Sequence, residues 1–153
     1  ILIIQIIVLI NSLSILSFFF KRNVSQSKIF IFFFSPQSHQ RAIGEYLGER
    51  DPFILNVLHC FIGQLDFSKD SFEKALRKLL FCFRLPGESQ KIERIMETFA
   101  DIYTKQAPEG IFANADTVFV LAYSTIMLNT DLHNPQVKTK MTVEQFIGNN
   151  RGE

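Results

Sequence analysis

This chain of 153 residues lacks the short motifs that mark the commonest enzyme sites. It has no G-x-x-x-x-G-K, no G-x-S-x-G and no H-E-x-x-H, so phosphate-loop, serine-hydrolase and zinc chemistry have no sequence signal. The two cysteines, Cys60 and Cys82, are in no metal-binding arrangement, and we expect reduced thiols and no metal site. His59 and His133 are isolated, and packing or helix capping explains each better than a role as a ligand.

The chain also lacks an excess of charge of either sign. Its formal net charge is +1, so it has no polybasic surface of the kind that binds nucleic acid, and we expect no nucleic-acid partner. A composition of 47% hydrophobic and 20% charged residues is typical of a globular protein. The length is that of one ordinary domain with a buried core.

Residues 1–40 have no acidic residue and no Ala, Gly, Thr or Tyr, whereas residues 41–153 carry all 15 acidic residues. This change in composition predicts two segments, 1–40 and 41–153. Ile1–Phe20 is mostly apolar and is followed directly by Lys21-Arg22, so it is long enough to cross a bilayer as a helix. Translated A/T-rich non-coding DNA would have the same composition, and a divergent packing segment is a third interpretation. All three stay open at this point.

From residue 41 onward the sequence predicts consecutive helices and no strand, which is an all-α fold. Apolar residues recur every three or four positions in two segments, and a third segment is apolar on nearly every face, which is typical of a helix at the centre of a bundle. A fourth, short helix follows. The predicted helices are Ser71–Phe83, Ser89–Lys105, Thr117–Leu132 and one beginning at Thr142. The predicted N-terminal caps are Asp70 with Glu73, Asp116, and a capping box of Thr142 with Gln145.

Two polar features interrupt this pattern. Glu88 follows the helix-stopping pair Pro86-Gly87, so its carboxylate is either presented to a partner or merely begins the next helix, where the dipole favours an acid. Pairing Glu88 with Glu93 or Glu97 as a two-carboxylate site is less plausible than solvated acids on a helix surface. Residues 129–135, Asn-Thr-Asp-Leu-His-Asn-Pro, fit either a helix C-terminal cap or a polar lip beside an apolar groove.

Residues 83–94, Phe-Arg-Leu-Pro-Gly-Glu-Ser-Gln-Lys-Ile-Glu-Arg, resemble the first signature of the Sec-seven domain, the catalytic module of Arf guanine-nucleotide exchange factors. Residues 115–135 resemble its second signature, and residues 43–48 and 150–152 fit as well. The resemblance covers about 112 of the 153 residues. It is strongest to the large Golgi exchange factors of the brefeldin A-inhibited group.

The resemblance implies a right-handed superhelical stack of helices, which we expect to be incomplete at both ends of this chain. It also implies that Glu88 is the catalytic "glutamic finger". A hydrophobic groove would receive the switch regions of the GTPase. The groove positions carried over are Phe119, Tyr123, Ile126 and Met127, with Asn134 in the polar lip. The positions that distinguish brefeldin-sensitive members are Tyr123, Ser124, Asp131 and Met141.

The function implied is promotion of GDP release from an Arf-family small GTPase, without covalent chemistry. We expect no cofactor in this chain, because the GDP, GTP and Mg²⁺ belong to the GTPase. The expected localisation is cytoplasmic, with peripheral recruitment of the parent protein to Golgi or endosomal membranes. The alternatives are an inactive truncated fragment and a membrane-anchored, Arf-binding helical protein without exchange activity.

Overall fold

The structure, a computed structural model, describes residues 40–108 and 111–151. These residues form six α-helices and no strand, which confirms the prediction of an all-α fold. The helices are α1 (Gln40–Leu47), α2 (Pro52–Gly63), α3 (Phe72–Cys82), α4 (Ser89–Gln106), α5 (Ala115–His133) and α6 (Val143–Asn149).

The predicted span Ile1–Phe20 lies outside the described residues, as does all of the predicted N-terminal segment except Gln40. None of the described helices is both long and apolar enough to cross a bilayer.

Polar caps fix where the helices begin, and two of them differ from the prediction. Helix α3 is capped by Ser71, whose hydroxyl accepts from the amide of Lys74 at 3.5 Å. The predicted cap Asp70 instead forms an ion pair with Lys78, because its side chain points to the next turns of α3 rather than to its first amides.

Helix α5 begins two residues earlier than predicted, and Asn114 is its cap. The Asn114 side chain accepts from the amide of Thr117 at 2.9 Å, and the predicted cap, Asp116, lies within the first turn. The capping box of Thr142 and Gln145 at α6 is confirmed.

Helix α4 is the centre of the described core. One face of α4 is almost completely buried. The aromatic residues of this face form a cluster with Phe72 of α3 and with Phe67, which lies in the loop before α3. The Phe99 and Tyr103 rings stack at 5.6 Å, and Phe67 meets Phe99 edge-on at 5.5 Å. Such pairs add to the stabilisation from apolar burial. The buried apolar residues of α4 are Ile92, Ile95, Met96, Phe99, Ala100, Ile102 and Tyr103.

Helix α5 is not buried at the centre of the described fold, so that prediction is wrong. Only Val118, Ala122 and Ile126 are buried, and these form a single stripe at a spacing of four residues. The reason is that α4 is the one described helix with which α5 packs extensively. A helix that is apolar all round is covered only where a neighbour contacts it.

Helix α1 packs directly on the turn between α3 and α4. The backbone amide of Arg84 donates to the carbonyl of Gln40 at 3.2 Å. A Cβ at Gly44 would lie 1.8 Å from the Arg84 carbonyl oxygen, and one at Gly48 would lie 2.6 Å from the Lys91 Cβ. Both distances are far below van der Waals contact. Gly44 therefore allows α1 to approach the backbone of Arg84, and Gly48 leaves room for the side chain of Lys91.

The substitution Gly44→Ala should destabilise the chain by about 1–3 kcal/mol, because the new methyl group must displace either α1 or the turn. The measurement is urea unfolding of the purified chain. Gly148→Ala is the matched control, because a Cβ there meets nothing within 4 Å. We expect the control to leave stability unchanged or to raise it by up to about 1 kcal/mol. Equal effects of the two substitutions would contradict the close approach.

Candidate functional site

The turn before α4 presents Glu88 to solvent. Helix α3 ends at Cys82, and Phe83 turns into extended backbone (φ −158°, ψ 165°) with its ring buried. Pro86 is buried and Gly87 and Glu88 are exposed. The burial of Phe83 and Pro86 thus fixes both the start and the middle of this turn against the core.

Glu88 is the N-cap residue of α4, but its side chain makes no capping hydrogen bond. Its backbone carbonyl accepts from the amides of Lys91 and Ile92, each at 3.1 Å. Glu88 therefore begins the helix through its backbone, as one interpretation predicted. Its carboxylate is not used for this purpose, and the residue is exposed.

Two acidic residues of α1 and the turn after it hold this region in place. Glu45 accepts from the Gly87 amide at 3.3 Å through Oε1 and from the Lys91 ammonium at 3.1 Å through Oε2. Lys91 also donates to Glu49 at 2.7 Å and to the Glu45 carbonyl oxygen at 3.4 Å. Glu45 thus connects the residue before Glu88 with the residue three positions after it.

The charges of this group shift its pKa values in the directions that favour the ionised forms. Hydrogen bonds to Glu49 and then Glu45 raise the pKa of Lys91. The hydrogen bond from Lys91, followed by that from the Gly87 amide, lowers the pKa of Glu45. Lys91 and Glu45 are therefore both charged at neutral pH.

The sequence analysis missed Glu45, Glu49 and Lys91. A signal for Lys91 was present, because it lies four residues before Ile95 and eight before Phe99, in line with the buried stripe of α4. A lysine in such a stripe is rarely buried without carboxylate partners. Nothing in the sequence indicated that α1 would supply those partners, because that contact joins residues more than forty positions apart.

Helix α5 carries the predicted groove residues on two adjacent stripes. Phe119, Tyr123 and Met127 follow one another at a spacing of four, with the Phe119 and Tyr123 rings 5.9 Å apart. This stripe is only partly covered, and Met127 is 36% exposed. Ile126 belongs to the neighbouring buried stripe and is 8% exposed, so it supports the surface from beneath.

The two helices that would form the groove run alongside each other. The Phe112 ring, three residues before α5 begins, lies 6.0 Å from that of Tyr103 near the end of α4. Helix α5 therefore starts beside the C-terminal end of α4, and the two form the most extensive helix pair of the described residues.

The end of α5 is tied to the segment that follows it. The amide of Met141 donates to the Asp131 carboxylate at 2.8 Å. The Lys140 ammonium donates to the carbonyl oxygens of Asp131 and Asn134 at 2.7 and 2.6 Å. The structure thus brings together two of the four predicted brefeldin positions, Asp131 and Met141. Ser124 lies two turns before Asp131 on the same helix and is partly buried.

Asn134 and His133 serve as the C-terminal cap of α5. The Asn134 amide donates to the Thr130 carbonyl at 2.9 Å, and its side-chain oxygen accepts from the Gln136 amide at 3.0 Å. A ring nitrogen of His133 lies 2.8 Å from the Asn129 carbonyl. Within 40–108 and 111–151 there is no cluster of three or more His, Cys, Asp or Glu residues that could hold a metal ion.

A model of the Sec7 domain family matches residues 6–153. This chain belongs to the Sec7 domain family. The match extends into the segment before residue 41, and the division of the chain at residue 40 stays a prediction.

Curated proteins with similar sequences align with about three quarters of the chain. An ADP-ribosylation factor guanine nucleotide-exchange factor of Schizosaccharomyces pombe is 58% identical over 110 residues, which are 72% of this chain and 6% of that protein. Brefeldin A-inhibited guanine nucleotide-exchange protein 1 of Homo sapiens is 55% identical over 111 residues, again 72% and 6%. The alignment therefore spans a small part of these much longer relatives.

Solved Sec7 domains have the same fold. The crystal structure of the Sec7p catalytic domain matches with a TM-score of 0.65 and 43% identity, covering 74% of this chain and 65% of that one. A Sec7 domain bound to ARF1-GDP and complexed with brefeldin A matches with a TM-score of 0.69 and 45% identity, covering 80% and 61%. These likenesses confirm the predicted fold and the predicted family.

Replacing Asp131 should loosen the segment that follows α5. In Asp131→Ala the Met141 amide loses its acceptor, so its hydrogen exchange should accelerate roughly three- to tenfold, the value of one hydrogen bond. Asp131→Asn is the control, because its side-chain oxygen can still accept. Amide exchange followed by NMR measures both variants. Equal protection of the Met141 amide in the wild type and in Asp131→Ala would show that the hydrogen bond to Asp131 does not hold this segment.

Proposed function

We propose that this chain promotes GDP release from an Arf-type small GTPase and that Glu88 is the residue that faces the nucleotide phosphates. The observation that carries the proposal is that Glu88 is exposed and makes no capping hydrogen bond, although the turn beside it is held by the hydrogen bond from the Gly87 amide to Glu45. Support comes from the family, since a relative is named an ADP-ribosylation factor guanine nucleotide-exchange factor and a solved Sec7 domain is bound to ARF1-GDP.

The partly covered stripe of α5 would bind the GTPase. Phe119, Tyr123 and Met127 offer a row of apolar side chains that is neither buried nor fully solvated, and such surfaces suit a protein partner. Ile126 would support this row from the core side. Asn134 would lie at its edge, although its side-chain oxygen already caps the local turn.

Glu88 would act through electrostatic repulsion. A carboxylate about 4 Å from a phosphate, at an effective dielectric near 20, costs about 4 kcal/mol. Taken from the binding of GDP, that energy corresponds to about a thousandfold loss of affinity. Competition for the Mg²⁺ that bridges the phosphates would add to the effect.

This mechanism breaks and forms no covalent bond, and it requires no cofactor held by this chain. The nucleotide and its Mg²⁺ are bound by the GTPase and not by this chain. We also propose a cytoplasmic location with peripheral recruitment to Golgi or endosomal membranes.

The substitution Glu88→Lys should abolish the acceleration of GDP release while leaving docking largely intact, because it reverses the charge at the phosphates and leaves the α5 stripe unchanged. Release of fluorescent GDP from ARF1 measures the rate, and binding of the chain to nucleotide-free ARF1 measures docking. Glu73→Lys is the matched control, since Glu73 is 72% exposed on α3. Unimpaired release by Glu88→Lys would refute the role of Glu88, and docking without release by the wild type would favour a pure binding module.

We also propose that exchange by this domain is sensitive to brefeldin A, on the basis of Tyr123, Ser124, Asp131 and Met141. The hydrogen bond between Asp131 and the Met141 amide supports the proposal, because it holds two of these positions side by side. Exchange on ARF1 should therefore fall as brefeldin A is added. Exchange that proceeds undiminished at saturating drug would rule this out.

A further inference from the structure

Lys91 is in a position to neutralise Glu88, yet it does not pair with it. Residues three apart on a helix are neighbours, and an acid followed by a lysine at this spacing ordinarily forms an ion pair. The charge of Glu88 is close enough to raise the pKa of Lys91, after the larger effects of Glu49 and Glu45. Within the described part of the chain, however, the ion pairs of Lys91 are with Glu45 and Glu49.

The hydrogen bonds of Lys91 explain why. An ammonium group has three N–H donors. All three are taken, by Glu49 at 2.7 Å, by the Glu45 carboxylate at 3.1 Å and by the Glu45 carbonyl oxygen at 3.4 Å. No donor remains for Glu88.

The surroundings of Lys91 keep it in this arrangement. It is the one charged side chain that is buried among the residues the structure describes, at 8% exposure. Its aliphatic stem lies against Gly48, where any Cβ would be 2.6 Å away. Glu45 also accepts from the Gly87 amide, so the same carboxylate that binds Lys91 fixes the turn beside Glu88.

We propose that Glu45 and Glu49 are positioning residues that hold the Lys91 ammonium on α1 and so leave the carboxylate of Glu88 unpaired for the GTPase. This inference rests on the proposed function. Without the two acids, Lys91 would have Glu88 as its nearest carboxylate and would pair with it. The pair would reduce the negative charge that acts on the phosphates.

The test uses the double variant Glu45→Gln/Glu49→Gln. Glutamine keeps the shape and an acceptor oxygen for the Gly87 amide but removes both charges. Fluorescent-GDP release from ARF1 should show a kcat about two- to fivefold lower, the range over which one exposed ion pair can hold Glu88. The KM should change less than about twofold, because the α5 stripe is untouched.

Adding Lys91→Met to the double variant distinguishes competition from simple damage. Methionine has a similar length and is suited to a buried site. If Lys91 acts by capturing Glu88, its removal should restore kcat to within about twofold of the wild type. If the double variant is slow only because its fold is damaged, the triple variant should be as slow as the double variant or slower. Glu73→Gln/Glu97→Gln, which removes two charges from exposed positions, should behave as the wild type.

The outcomes separate the two proposals. If the wild-type chain does not accelerate GDP release, the proposed function fails. If it does, the inference is overturned by a double variant as fast as the wild type or by a triple variant that is not restored. If thermal unfolding shows that the double variant does not fold, Glu49→Gln frees only the Lys91 donor that Glu49 takes, and the pair with Glu45 remains to support the fold. A kcat below that of the wild type, restored by adding Lys91→Met, then supports the inference, and an unchanged kcat overturns it.

Discussion

The contact of α1 with the turn before α4 is the constraint on which the candidate site depends. Gly44 lets the helix approach the Arg84 carbonyl more closely than any side chain would allow, and Glu45 then reaches both the Gly87 amide and Lys91. The six-residue connection between the two helices, residues 83–88, would otherwise be the most mobile part of this region. Here its backbone is bonded from one side and packed through Phe83 and Pro86 from the other, so Glu88 projects from a fixed base.

Local patterns in the sequence were enough to predict most of the fold. The spacing of apolar residues gave α3 and α4 to within one residue at each end, and the turn chemistry placed Glu88 between them. The errors have specific causes. Ser71 and Asn114 compete with nearby acids for the same amides, and local sequence does not say which side chain will reach them. The burial of α5 depends on which neighbours contact it.

The candidate site was only half predictable for a related reason. Glu88 and the α5 stripe belong to continuous motifs, so the resemblance to a family could identify them. The group of Glu45, Glu49 and Lys91 is assembled from segments more than forty residues apart, and its acids look like ordinary surface charges in the sequence. Only the buried position of Lys91 in the α4 stripe pointed toward it. Charged residues that only position another residue are therefore harder to predict from sequence than residues that contact the partner protein themselves.

Gly87 differs from the other two glycines of this region. A Cβ at position 87 would meet nothing within 4 Å, and the backbone there is not in the left-handed region. The fold of this chain therefore makes no steric demand for glycine at this position. What its missing side chain does provide is clearance, since the backbone beside Glu88 is bare on its outer side. A flat or bulky surface can approach the carboxylate there without first displacing a side chain.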